Sequence, residues 1–187
     1  MIQTIIIGIV ATTPEEKKVP NYIIPRSNFS TCSPDSAYII GVPCKVVSNP
    51  YITRMKDVFG EMKDKEVYDV RSMVTNIKYT IPTGWADEYD TLEEANKHAV
   101  IKGTEHPSPT DLIGRQYWPR DNSYIKDTQG NWYSLIRSKC RIISVPFKEK
   151  TYEYPVDEDT ERTFIMVMYN NKIYRVLFEE WALTDPE

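Results

Sequence analysis

The sequence predicts a mainly β protein with a minor helical connector, built as two tandem small barrels that arose by internal duplication. Three observations carry this. The octamer CKVVSNPY beginning at Cys44 returns as CRIISVPF at Cys140, 96 positions later. Short β-branched runs recur between turn residues, and a single stretch, just after Asp90, carries helix start and stop signals.

Duplication requires matches on both sides of the octamer, and they are present. Upstream, IPRSN (Ile24–Asn28) corresponds to WPRDN (Trp118–Asn122) at an offset of 94. Downstream, EVYDVRSMVTNIKYTI lies opposite RTFIMVMYNNKIYRVL, setting Val67 against Phe164, Val70 against Val167 and Tyr79 near Tyr174. The chain therefore divides into a first module (1–84), a connector (85–109) and a second module (110–187).

Within each unit, CKVVS and CRIIS read as short strands closed by Ser-x-Pro, because proline cannot donate to a ladder. The following stretches, YITRMKDVFGEMKDKE and FKEKTYEYPVDEDTER, are too polar for a core and read as long charged connections. TFIMVMY and KIYRVLF then form a hairpin across Asn170-Asn171, since asparagine tolerates the positive φ of a tight turn. In the connector, Asp90-Thr91 can cap a helix, Glu94 completes a capping box with Thr91, and Gly103 marks a stop after LEEANKHAVIK. The apolar start IQTIIIGIVA is too short to span a bilayer and lacks a basic leader, so it reads as a buried strand.

The rhythm of SKCRIISVPF, a polar loop, TFIMVMY, an Asn-Asn turn and KIYRVLF resembles a small SH3-like barrel of the KOW or Tudor sort, and the likeness covers most of both halves. The resemblance implies a peptide- or nucleic-acid-binding unit and no catalysis. The general style, a compact acidic chain rich in Lys, Asp, Tyr and Asn, is similar to accessory early proteins of large tailed bacteriophages. That likeness implies a protein that inhibits or redirects a host complex in the host cytoplasm.

Charge and composition narrow the function. The net charge of −4 argues against a generic grip on DNA but leaves room for a local basic patch. The connector holds two lysines against six acids, the first module is net +2 and the second −2. Three cysteines (Cys32, Cys44, Cys140) without a CxxC pair fit a reducing cytoplasm. Cys44 and Cys140 sit at equivalent repeat positions, where a small buried residue is expected.

Chemistry-bearing patterns are sparse. His98 and His106 are the two histidines, both in the acidic connector; with Glu105 they offer at most a weak surface metal site. The acids of VDEDTE form a solvated run rather than an acid–base pair. The seven glycines form no phosphate loop or dinucleotide fingerprint. The expectation is a non-enzymatic binding protein without cofactor or metal, an enzyme with an unfamiliar site being the weaker alternative. The leading expectation is a protein partner, bound through the aromatics Tyr117, Trp118, Tyr124, Trp132 and Tyr133. The alternative is nucleic acid, held by Arg115, Arg120, Lys126, Arg137, Lys139 and Arg141, which interleave with those rings. Arg26 and Arg120, matched in the repeat, are alternatively ion-pair partners that pin a turn. Composition assigns scaffolding to the first module and binding to the second.

Overall fold

The computed structural model describes residues 18–26, 39–56, 61–120, 124–126, 132–150 and 161–185, so the apolar N-terminal run and Cys32 lie outside the described residues. In the first half, β1 (Tyr22–Pro25), β2 (Cys44–Val46), β3 (Tyr51–Lys56), β4 (Met62–Ser72), β5 (Lys78–Pro82) and β6 (Ala86–Tyr89) make one antiparallel sheet. The long β4 is its axis. β5 runs along one edge, while β3 and β2 follow each other along the opposite edge, against Met62–Val67 and Val70–Ser72. Beyond β2 come β1 and then β6. The Ser-x-Pro signal sits at the break between β2 and β3. There Val47 N–H donates to the Asp69 carbonyl (2.9 Å) and Asp69 N–H donates to Ser48 Oγ (2.9 Å), so a hydroxyl carries the ladder past a proline that cannot.

After the connector helix α1 (Leu92–His98), the second half contains β7 (Gln116–Tyr117), β8 (Tyr124–Lys126), β9 (Trp132–Ser134), β10 (Cys140–Ile142), β11 (Phe147–Lys150), β12 (Glu161–Tyr169) and β13 (Lys172–Leu177). β8 and β9 form a separate hairpin, and the rest make a second antiparallel sheet. Its pairing repeats the first. Ile23↔Cys44 has its counterpart in Tyr117↔Cys140, Val46↔Val70 in Ile142↔Val167, Tyr51↔Val67 in Phe147↔Phe164, and Val70↔Tyr79 in Val167↔Tyr174. The serine device recurs too: Ile143 N–H donates to the Met166 carbonyl (2.9 Å) and Met166 N–H to Ser144 Oγ (2.8 Å). Asn170 (φ 49°) and Asn171 (φ 60°) make the expected tight turn between Tyr169 and Lys172. No ladder among the described residues closes either sheet into a barrel.

Two expectations are corrected. The stretches read as charged connections begin as strands, β3 and β11, because the neighbouring long strand supplies hydrogen bonds and cross-strand charge pairs replace apolar alternation. Lys148 meets Glu161 at 3.1 Å, and Glu149 meets Arg175 at 2.6 Å. The helix also ends earlier than read. Thr91 caps it by accepting from Glu94 N–H (3.2 Å), but it stops at His98, where the Asn96 side chain accepts from Gly103 N–H (2.8 Å) and donates to its carbonyl (3.1 Å). Gly103 is required for close approach rather than as a stop: a Cβ there would lie 2.5 Å from Met73 Cβ and 2.8 Å from Pro43 Cγ.

The inward faces of both sheets join one apolar cluster, with Ile23, Cys44, Tyr68, Val70 and Ile81 from the first and Tyr117, Cys140, Ile142, Ile165 and Val167 from the second. A polar contact ties the halves at this seam. Glu180, in a 3-10 turn after β13 (Glu180–Leu183), is fully buried. It accepts from the hydroxyls of Ser72 (2.5 Å), Tyr79 (2.9 Å) and Thr75, all on the β4–β5 corner of the first half. Burial pushes its carboxyl up to about 7, while the three hydroxyls and the Arg115 charge pull it back. Among the described residues no helix is long and apolar enough to cross a membrane.

Candidate nucleic-acid interface

The segment that the sequence singles out is built from the start of β7, the turn 135–138 and β10. Gly114 N–H donates to the Ile142 carbonyl (2.8 Å) and Ile142 N–H to the Arg115 carbonyl (3.0 Å), which extends the β7–β10 pairing to Arg115. Cys140 and Ile142 point into the core, so their strand neighbours Lys139 and Arg141 face out. The Arg141 guanidinium lies against Gly114, whose φ of +88° leaves its backbone open on that side. Arg137 adopts φ 57°, a conformation unfavourable for a side-chain-bearing residue, with its N–H bonded to the Pro119 carbonyl (2.9 Å). Arg115, Arg137, Lys139 and Arg141 are all exposed, and none forms an ion pair with another described residue.

Other residues of the predicted set have different surroundings. Tyr117 is fully buried: its hydroxyl donates to the Leu177 carbonyl (2.9 Å) and accepts from Glu179 N–H (2.9 Å), and its ring stacks on Phe178 at 6.1 Å. Trp118 is buried beside it, with its N–H bonded to the Ala182 carbonyl (2.9 Å). The Tyr117 hydroxyl and the Trp118 backbone anchor the C-terminal turn, and both rings are buried and so offer no partner surface. Arg120 closes the same contact by donating to the Thr184 carbonyl (3.1 Å) and lying 4.8 Å over the Trp181 ring. It therefore pins the chain, and its partners among the described residues are a carbonyl and a ring. Arg26 does pair with an acid, Asp87, at 2.5 Å. The backbone register sets Lys126 opposite Trp132, Ile125 opposite Tyr133 and Tyr124 opposite Ser134; the side chains of Tyr124, Lys126, Trp132 and Tyr133 lie outside the described residues.

The two described cysteines are absorbed by packing. Burial holds the Cys44 thiol well above its ordinary range and pushes Cys140 up to about 11, so both are uncharged near neutral pH. His98 stacks on Tyr89 with centroids 5.5 Å apart, and His106 is exposed. Among the described residues no three His, Cys, Asp or Glu side chains converge as metal ligands. A shallow cleft of about 460 Å³ is lined by Lys18, Pro20, Glu88, Tyr89, Asp90, Glu94 and His98, with three acids against one lysine. Sequence reasoning missed Glu180, since Phe-Glu-Glu-Trp reads as a solvated pair and no local pattern marks which acid turns inward.

Comparison with known proteins finds no match: no family model fits the chain, and no curated protein or solved structure is significantly similar to it.

Proposed function

We propose that this chain is a non-enzymatic nucleic-acid-binding protein whose two halves are duplicated copies of an SH3-like unit fused about a common core. The duplication is supported by the pairing scheme shared by the two sheets and by the repeated Ser48 and Ser144 hydrogen bonds to the backbone of the neighbouring long strand. The SH3-like reading is supported by the strand order of the first sheet, in which β1, the interrupted β2–β3 edge, β4 and β5 follow one another and β6 returns beside β1.

One observation carries the binding reading. Four exposed cations, Arg115, Arg137, Lys139 and Arg141, lie on one turn and the paired β7 and β10 segments of an acidic chain without an ion-pair partner among the described residues. Such charges can neutralise phosphates, and release of the condensed counterions then drives binding. The protein-partner reading loses Tyr117 and Trp118 to the core, which leaves the nucleic-acid reading better supported. Changing Arg115, Arg137 and Arg141 together to Glu should abolish binding of a labelled single-stranded oligonucleotide at physiological salt, with the fold retained. Binding equal to the parent's would reject this interface. Recovery of a stoichiometric protein from source lysate, with no nucleic acid bound, would return the protein-partner reading to first place.

A further inference from the structure

The outer face of the first sheet carries an arrangement that the linear sequence hides. Successive ladder pairs align Tyr89, Tyr22, Lys45, Arg71 and Lys78 in one row across five strands. Directly paired residues project to the same side of a sheet, so three cations stand abreast with two tyrosines beside them. Lys45, Arg71 and Lys78 are exposed, and Tyr22 and Tyr89 are half-buried. Among the described residues the row's one acid partner is Asp69, 2.7 Å from Lys78 and also held by the hydroxyls of Tyr51 (2.9 Å) and Thr80 (2.8 Å). Among the described residues Arg71 donates to the Asn76 carbonyl (3.3 Å) and forms no ion pair, and Lys45 pairs with no acid.

The fold does not require this row. The corresponding positions of the second sheet, Gln116, Arg141, Met168 and Ile173, contain one cation and pair in the same way. Like charges directly opposite one another oppose sheet formation, so a cost is carried that the sister sheet avoids. Extending the nucleic-acid reading above, on which this rests, we infer that the row is a second binding site whose ligand is single-stranded nucleic acid. Phosphates lie over Lys45, Arg71 and Lys78, and an unstacked base packs on Tyr22. The acids Asp90 and Glu94 beyond Tyr89 bound the footprint on that side and repel the denser charge of a duplex.

The test is fluorescence anisotropy with the full chain and labelled oligothymidine, with duplex DNA and heparin as comparison ligands. Substituting Lys45, Arg71 and Lys78 by Gln should lower the salt slope by about 2 at roughly 0.7 per cation. The variant should stay folded, because relief of the repulsion among the three cations offsets loss of the Lys78–Asp69 pair. Tyr22→Leu should weaken oligothymidine binding roughly tenfold with an unchanged salt slope, as loss of one stacked base does, and should leave heparin binding unaltered. Parental affinity and slope in the triple Gln variant would overturn the row while leaving the second-half interface standing. Equal weakening of heparin and oligothymidine by Tyr22→Leu would overturn the stacking role. Absence of any binding by the parent chain at low salt would instead reject the nucleic-acid reading itself.

Discussion

Glu180→Gln tests the seam between the halves. An acid whose folded-state pKa lies above its unfolded value favours the protonated native form. Its stabilisation is complete below the ordinary value of 4.5 and is lost as the pH rises through about 7. A rise from 4.5 to about 7 corresponds to about 3 kcal/mol at 1.36 kcal/mol per pH unit. Glutamine keeps the size and a carbonyl acceptor but cannot ionise, and the hydroxyls of Ser72, Thr75 and Tyr79 can rotate to meet its amide. Urea unfolding followed by tryptophan fluorescence at about pH 5, 6, 7 and 8 should show the parent losing about 2–3 kcal/mol relative to the variant across that range. Arg115→Gln should move the midpoint of the loss to higher pH, since its charge favours the carboxylate. Parallel stability curves for the parent and the Glu180→Gln variant, or divergence in the opposite sense, would refute the burial of an ionisable carboxyl at this seam.

Three further outcomes follow from the packing. Tyr117→Phe strands the Leu177 carbonyl and Glu179 N–H and should cost about 1–3 kcal/mol by denaturant titration, while oligonucleotide affinity of the folded protein stays unchanged. Gly103→Ala drives a methyl into Met73 and Pro43 and should destabilise by about 1–3 kcal/mol, read as a lowered unfolding midpoint. Arg137→Gly relieves the strain of φ 57° and should raise the melting temperature by about 2–4 °C in calorimetry while weakening oligonucleotide binding.

Local signals were legible where local physics decides the outcome. Thr91 before Glu94, the Asn170-Asn171 turn and the Ser-x-Pro breaks each act within a few residues, and the strands or helix around them follow. The edge strands β3 and β11 were illegible because apolar and charged residues do not alternate between their faces; they exist through pairing with β4 and β12. Tyr117 and Trp118 were misplaced because a two-residue strand has no period from which to read an inward face. Their burial depends on the C-terminal turn, about 60 residues away. The row of Lys45, Arg71 and Lys78 was hidden for the same reason: each lies on a different strand, and only the ladder register brings them abreast. The composition-based division of labour, scaffold first and binding second, is replaced by a proposal in which both halves bind.

The most direct test of the central proposal is a salt titration of parent-chain binding to a labelled single-stranded oligonucleotide. Four second-half cations alone should give a log–log slope of about −3 or steeper at roughly 0.7 per phosphate contact. A flat salt dependence, or no binding at about 50 mM salt, where phosphate contacts are strongest, would contradict it.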